Sequence, residues 1–164
     1  MHHTRALISV LSIGVGFAMA TVAYYFSFAA PMMDLLCRWT AKSMALPLNL
    51  IGMDVSVEGV LVISDRLSFA IVPECTAIGP LLIFLGGVIG YPSAPLVKIK
   101  GALLGIVLLT TLNHIRVLSL FVIGIYSRQH LEVMHLLVWQ SLLILAAVGL
   151  WLLWIRRYVR TSKA

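Results

Sequence analysis

The sequence predicts an all-α polytopic membrane protein of about four transmembrane helices, with an interfacial helix and a short extracytoplasmic β-hairpin flap. Of the 164 residues, 61% are hydrophobic and 11% are charged, whereas a soluble domain usually carries about 25% charged residues. The mean hydropathy is +1.03. The apolar residues also form runs close to the roughly 20 residues that cross a bilayer as a helix.

Four apolar stretches are the predicted spans: residues 6–30, 77–91, 100–126 and 133–154. The first begins like a signal peptide, with Arg5 before the apolar run and small residues at Ala18 and Ala20. Because the apolar run continues well beyond that point, an uncleaved anchor is favoured over a cleaved signal.

Glycine pairs in the second and third stretches have the small-xxx-small spacing that lets membrane helices approach closely. The pairs are Gly86 with Gly90 and Gly101 with Gly105. Glycine is also simply common in membrane helices, and that alternative stays open.

The loop of residues 31–75 has a different character. Asp34, Arg38 and Lys42 recur every four residues between Pro31 and Leu46, which predicts a helix lying on the membrane interface. We expect this helix to end at Pro47. Residues 55–71 alternate apolar and polar side chains around a Ser-Asp-Arg turn, which predicts a β-hairpin or three-stranded flap. The chain as a whole, residues 1–164, is expected to form a single membrane domain.

Charge in the flanks predicts the orientation. One side carries seven basic residues: Arg5, Lys98, Lys100, Arg156, Arg157, Arg160 and Lys163. The other carries four, namely Arg38, Lys42, Arg66 and Arg128, together with all six acidic residues. By the positive-inside rule both termini are cytoplasmic, and the flap faces outward.

The formal net charge of +6 does not indicate nucleic-acid binding, because the basic residues sit at the predicted membrane edges. Cys37 and Cys75 are the two cysteines. They form neither a CxxC motif nor a Cys/His cluster with zinc spacing, so neither a metal site nor a cofactor is expected.

Arg116 lies inside an otherwise apolar predicted span, where a charge costs at least ~2.5 kcal/mol on insertion scales. We therefore expect it to face a polar interior, with Asn113 three residues earlier on the same helical face. The alternatives are an arginine that extends to the interface or braces a helix pair.

Cys75 lies where the predicted flap leads into the second span, so it precedes a helix N-terminus. The positive end of a helix dipole favours the thiolate, which is the nucleophilic form of cysteine. Inert packing is the alternative for a membrane cysteine.

His135 lies near the outer start of the fourth predicted span, where a lone histidine is more often structural. Glu132, three residues earlier, could orient its ring or could equally be a solvated charge. His114 and His130 are rival histidines. A thiol, a base and a fixed cation are the groups that acyl transfer requires, so Cys75, His135 and Arg116 form the predicted catalytic set.

At these motifs the sequence resembles the exosortase/archaeosortase family over roughly residues 70–157, in particular its compact exosortase H type. The matching segments are Glu74-Cys75-Thr76-Ala77-Ile78, Asn113-His114-Ile115-Arg116-Val117 and Met134-His135-Leu136-Leu137-Val138-Trp139-Gln140. The chain departs from many members at Thr76-Ala77, where they have Ser-Gly after the cysteine.

The resemblance implies a membrane cysteine transpeptidase or protease in a bacterial inner membrane, with its site facing the periplasm. Its partners would be exported proteins bearing a C-terminal sorting signal made of a short motif, a transmembrane helix and a basic tail. Cys75 would be the nucleophile, His135 the acid/base and Arg116 the transition-state stabiliser. Asn113, Glu74, Thr76 and Glu132 are the expected substrate-binding or supporting residues, and the flap is expected to gate or recognise the motif.

Two other functions stay open at this point. Cys37 and Cys75 are both predicted outside the membrane, so the chain could be a thiol oxidoreductase. It could also be a non-catalytic assembly subunit in which Arg116 braces helices. The substrate motif, the acceptor nucleophile, the choice between transpeptidation and hydrolysis, and the oligomeric state do not follow from the sequence.

Overall fold

The computed structural model describes residues 2–28 and 31–159, with residues 2–9, 27 and 28 described by their backbone alone. The chain is mostly helical. Within the described ranges the main helices are α1 (His2–Phe28), α2 (Pro31–Leu50), α3 (Ile78–Gly90), α4 (Pro95–Tyr126) and α5 (Arg128–Val159). Ala30, Arg160 and Lys163, which entered the predicted first span and topology, lie outside the described residues.

Two helices, α4 and α5, are each 32 residues long and apolar enough to cross a membrane. A third span results if α1 and α2 together form one. The predicted second span corresponds to α3, which has only 13 residues. It begins only at Ile78, after the 3-10 turn Pro73–Cys75 and a bend at residues 76–77, and it ends at Gly90, two residues before Pro92. A membrane protein with two or three candidate spans follows, and the number four stays a prediction.

The chain divides into two compact units. The apolar unit comprises residues up to 26, residues 78–110 and residues from 144 onward. The sheet-bearing unit comprises residues 27–77 and 111–143. The predicted single domain is not tested by this division, since α1, α4 and α5 each contribute residues to both units.

The apolar unit is held by aromatic and aliphatic side chains from α3, α4 and α5. Its buried core contains Phe84, Val88, Leu109, Ala147, Trp154, Ile155 and Val159. The indole Nε1 of Trp154 donates a hydrogen bond to the Val97 carbonyl at 3.2 Å. Tyr91 packs edge-on against the rings of both Trp151 and Trp154.

Both predicted glycine pairs make close helix contacts. A Cβ added at Gly90 would lie 2.6 Å from the Ser12 carbonyl oxygen, and one at Gly86 would lie 2.8 Å from that of Gly16. On α4, Gly101 faces the Trp154 indole and Gly105 faces the Phe84 ring with no room for a methyl group. These glycines therefore permit close packing, as the spacing predicts.

In the sheet-bearing unit, α2 buries one face and exposes a charged stripe. Met33, Cys37, Ala41, Met44 and Leu48 are the buried residues. On the exposed side, Arg38 Nε donates to the Asp34 carboxylate at 2.7 Å. The predicted helix with a charged stripe is therefore present, and its location at a membrane interface stays a prediction.

The prediction that α2 ends at Pro47 is wrong, since the helix continues to Leu50 with Pro47 inside it. Proline removes its own N–H and crowds the carbonyl four residues earlier, but Pro47 lies in the last turn of the helix. The helix ends at Leu50 and is followed by a turn at Gly52, whose φ is +81°. The Met53 N–H then bonds the Leu48 carbonyl at 3.0 Å, a glycine-dependent helix ending.

The alternating segment forms a three-stranded antiparallel sheet in the order β1 (Val55–Glu58), β2 (Leu61–Ser64), β3 (Ser68–Ala70). Gly59, with φ +61°, lies in the two-residue turn that pairs Glu58 with Leu61. The strands thus occur where the alternation predicts them.

The sheet packs against helix α4. Val55, Val62, Leu67 and Ile71 are buried, and Phe69 packs edge-on against Phe121 of α4 at 6.3 Å between ring centroids. An extracytoplasmic location and a gating role for the sheet stay predictions.

Candidate active site

Cys75 ends a 3-10 turn, Pro73–Cys75, that follows β3 after two residues. Pro73 suits the first position of such a turn because its φ is preset and its missing N–H is not needed there. The Cys75 side chain is only 1% exposed. Its own N–H donates to the Val72 carbonyl at 2.8 Å, which fixes the backbone that carries the thiol.

Three consecutive carbonyls of this turn are held by hydrogen bonds. The Pro73 oxygen accepts from the Thr76 hydroxyl at 2.7 Å. The Glu74 oxygen accepts from Arg116 Nη1 at 2.9 Å. The Cys75 oxygen accepts from Asn113 Nδ2 at 2.8 Å. Side chains therefore fix the turn on both sides of the cysteine.

Asn113 and Arg116 lie three residues apart on α4, and each is 1% exposed. Arg116 Nη1 also approaches Asn113 Oδ1 at 3.5 Å. The Nε of Arg116 is buried and has no hydrogen-bond partner among the described residues. Since an unpaired buried donor is costly, this N–H is a candidate donor to a bound ligand.

His135 faces the cysteine. Its Nε2 lies 3.8 Å from the Cys75 Sγ, a distance that sulfur hydrogen bonds commonly reach. The ring is half-buried and is carried by the π-helical segment Met134–Trp139 of α5. Such insertions shift the direction of side chains along a helix and are frequent at functional sites.

Burial raises the pKa of the Cys75 thiol above its ordinary value of 9.0. A hydrogen bond with the Val72 backbone and the nearby Arg116 guanidinium lower the pKa only in part, and Glu74 raises it further. The expectation of a thiolate favoured by a helix dipole is therefore wrong in direction. The reason is that desolvation of the buried sulfur outweighs the favourable charges.

The expected supporting residues divide into buried and exposed ones. Thr76 and Asn113 are buried and bond the turn. Glu74 joins the site through its backbone oxygen, and its side chain is exposed. Glu132 is exposed, and among the described residues no hydrogen bond joins it to His135.

The rival histidines make other contacts. His114 Nε2 lies 2.8 Å from the Ser43 hydroxyl, which itself donates to the Thr40 carbonyl. His130 Nδ1 lies 2.6 Å from the Ser127 hydroxyl. Cys37 is buried on α2, and both cysteines are free thiols. Within residues 2–28 and 31–159, no group of three or more His, Cys, Asp or Glu side chains could hold a metal ion.

Two features of the site were not anticipated from the sequence. The Val72 and Pro73 carbonyls order the cysteine turn, but backbone acceptors have no sequence signature. The π-helical segment that presents His135 also has no recognisable signal, since Met134–Trp139 is an ordinary apolar stretch.

The arrangement places a buried thiol, an imidazole and a guanidinium with an unpaired N–H within one unit. A model of the transmembrane exosortase family matches residues 3–153. No curated protein and no solved structure matches the chain. Because the family match covers most of the sequence, the chain belongs to the transmembrane exosortase family.

Proposed function

We propose that this protein is a membrane-embedded cysteine transpeptidase or protease that cleaves C-terminal sorting signals of exported proteins. The observation that carries the proposal is the approach of Cys75 Sγ to His135 Nε2 at 3.8 Å. A thiol beside an imidazole is the minimal pair for nucleophilic attack on a peptide carbonyl.

In the acylation step, His135 Nε2 takes the proton of the Cys75 thiol as the sulfur attacks the scissile carbonyl carbon. A carbon–sulfur bond forms, and the carbonyl oxygen becomes an oxyanion. The carbon–nitrogen bond then breaks, and the imidazolium returns its proton to the leaving amine. The products are a thioester on Cys75 and the released C-terminal fragment.

In the second step, an acceptor amine or water attacks the thioester carbonyl. His135 takes a proton from the attacking group and returns it to the departing sulfur, which regenerates the thiol. An amine acceptor makes the reaction a transpeptidation, and water makes it a hydrolysis.

The raised pKa of Cys75 supports a mechanism in which removal of the thiol proton is coupled to the attack of the sulfur. A thiol that is mostly protonated in the free enzyme needs a base in contact with it at the moment of attack. His135 meets that need, and the nearby Arg116 charge favours the thiolate as it forms.

Arg116 is proposed to act in two ways. Through Nη1 it holds the Glu74 carbonyl and so positions the turn. Its unpaired Nε–H is the donor proposed to stabilise the oxyanion. Asn113 is a positioning residue, since its amide holds the Cys75 carbonyl.

The proposed setting is a bacterial inner membrane with both termini in the cytoplasm and the site facing the periplasm. The excess of basic residues at the predicted cytoplasmic flanks supports this orientation. The proposed partners are exported proteins whose C-terminal signal combines a short motif, a transmembrane helix and a basic tail.

The test substitutes Cys75, Arg116 and His135 singly by alanine in cells that express a candidate substrate with such a signal. Substrate size is followed on a gel, and enzyme level is measured in the membrane fraction. Loss of cleavage at normal enzyme level is expected for each variant, and Cys37→Ala is the matched control. Cleavage by Cys75→Ala would refute the proposal, and loss in Cys37→Ala would favour a dithiol reaction.

A further inference from the structure

The two outer edges of the sheet differ in whether their backbone groups are already paired. On either side of β3, the Ile71 N–H donates to the Val60 carbonyl at 2.8 Å, and the Leu67 carbonyl accepts the Ser64 N–H at 2.9 Å. Residues 67, 69 and 71 therefore face β2. Since bonded positions alternate along an antiparallel strand, Ser68 and Ala70 direct their N–H and C=O groups away from the sheet.

These outward groups have no partner among the described residues. Within the described residues, no hydrogen bond is made by the backbone N–H or C=O of Ser68 or Ala70. Both residues are exposed. β3 thus presents an open edge of two donors and two acceptors at strand spacing.

The opposite edge, on β1, is covered by a side chain at Val55, one of its two outward positions. The Val55 N–H donates to Asn49 Oδ1 at 2.8 Å, and Asn49 Nδ2 donates to the Val55 carbonyl at 3.3 Å. The acidic residue Asp54 precedes this strand, and Glu58 is its last residue. Charges and covering groups are the devices by which proteins prevent pairing at a sheet edge.

The β3 edge lacks those devices. Residues 67–72 contain neither a charge nor a proline, and the pairing with β2 continues without a bulge. An open, apolar and regular edge is a template for another extended chain.

The open edge also leads directly to the nucleophile. Val72 is the next outward position after Ala70, and its carbonyl accepts the Cys75 N–H at 2.8 Å. A strand laid along Ser68 and Ala70 would therefore continue toward the turn that holds the thiol.

We propose that the extended segment of the substrate next to its scissile bond pairs with the outer edge of β3 as a fourth strand. This inference rests on the proposed function and adds how the substrate is held. The edge bonds the substrate backbone, so the site selects an extended conformation and tolerates varied side chains at the paired positions.

Ala70→Pro tests the proposal because it removes the outward N–H of Ala70 and leaves the ladder to β2 intact. Val57→Pro is the matched control, since Val57 occupies the equivalent outward position on β1. The probe is an exported reporter that wild-type cells process and Cys75→Ala cells do not. A reporter meeting that condition establishes the proposed function separately from this inference.

We expect Ala70→Pro to slow reporter processing about tenfold at normal enzyme level, since losing one hydrogen bond accounts for roughly two- to twelvefold. Val57→Pro should change the rate by less than about twofold. Unchanged processing by Ala70→Pro, or equal losses in both proline variants, would overturn the proposal.

Photocrosslinking identifies directly which chain lies along the outer edge of β3. A photoreactive residue replaces Ala70 or Val57 in the Cys75→Ala enzyme, which retains uncleaved reporter. A crosslink to the reporter from position 70 and none from position 57 is expected. A crosslink between two enzyme copies from position 70, or no crosslink to the reporter, would overturn the proposal.

Discussion

The apolar unit and the sheet-bearing unit bury different kinds of side chain. Among the described residues, the buried polar or charged side chains are Thr76, Asn113 and Arg116, and all three belong to the sheet-bearing unit. The apolar unit is packed by rings and glycines. A buried polar group costs free energy unless it is hydrogen-bonded, and Asn113 and Arg116 meet this need by bonding the turn that carries Cys75.

Helix α4 shows the same contrast within a single element. Gly101, Gly105 and Leu109 pack in the apolar unit, and Asn113 and Arg116 bond the cysteine turn in the other unit. Substitutions in the first half of α4 should therefore change stability, and those in the second half should change activity.

The largest effect is expected for His135→Ala. Loss of the base that faces Cys75 should slow processing by about 10²–10⁴-fold. His114→Ala is the matched control, since His114 bonds Ser43 instead of the thiol. Rates come from a reporter time course at equal enzyme level. Normal processing by His135→Ala would remove the acid/base role from this residue.

Arg116→Lys sharpens the comparison by keeping a positive charge and removing the planar donor set. Because lysine cannot reproduce the guanidinium geometry, processing should fall by about 10²-fold. The same rate measurement and a thermal unfolding curve of the purified protein check this. A Lys variant as active as the wild type would show that charge alone suffices.

Gly105→Ala tests the apolar unit. A methyl group there meets the buried Phe84 ring, so the free energy of unfolding should fall by about 1–3 kcal/mol. Gly149→Ala is the control, because nothing lies within 4 Å of its added Cβ. Thermal unfolding measures both. The cleavage rate of folded Gly105→Ala should match that of the wild type. A loss of activity without a loss of stability would contradict the proposal that the first half of α4 serves stability and the second half serves activity.

The smallest expected effect is on how the alkylation rate of Cys75 depends on pH. In a Cys37→Ala background, alkylation of Cys75 should still accelerate above pH 9.0, because burial raises the pKa of this thiol above that value. The folded protein holds the thiol proton more tightly than the unfolded chain. The resulting stability is present below pH 9.0 and is lost as pH rises through the folded pKa. An alkylation rate that levels off below pH 9.0 would contradict the raised pKa.

Much of the fold follows from local patterns. Apolar runs predict α4 and α5, since crossing lipid requires an uninterrupted helix. Alternation predicts the strands of residues 55–70, and the four-residue spacing of Asp34 and Arg38 predicts α2. Helix ends were less predictable. Pro47 is a helix breaker by local rules, yet the Gly52 ending and the buried face of α2 carry the helix past it.

The sequence by itself determined that Arg116 is unusual, because a charge in an apolar helix is visible without coordinates. It also made Cys75 and His135 candidates, because a thiol, a base and a cation together are the groups that acyl transfer requires. Only the tertiary structure decided that Arg116 and Asn113 hold the carbonyls around Cys75 and that His135 faces the sulfur. It also decided the direction of the thiol pKa shift, because desolvation depends on every neighbour that excludes water. These properties arise from residues distant in sequence, and no local pattern encodes them.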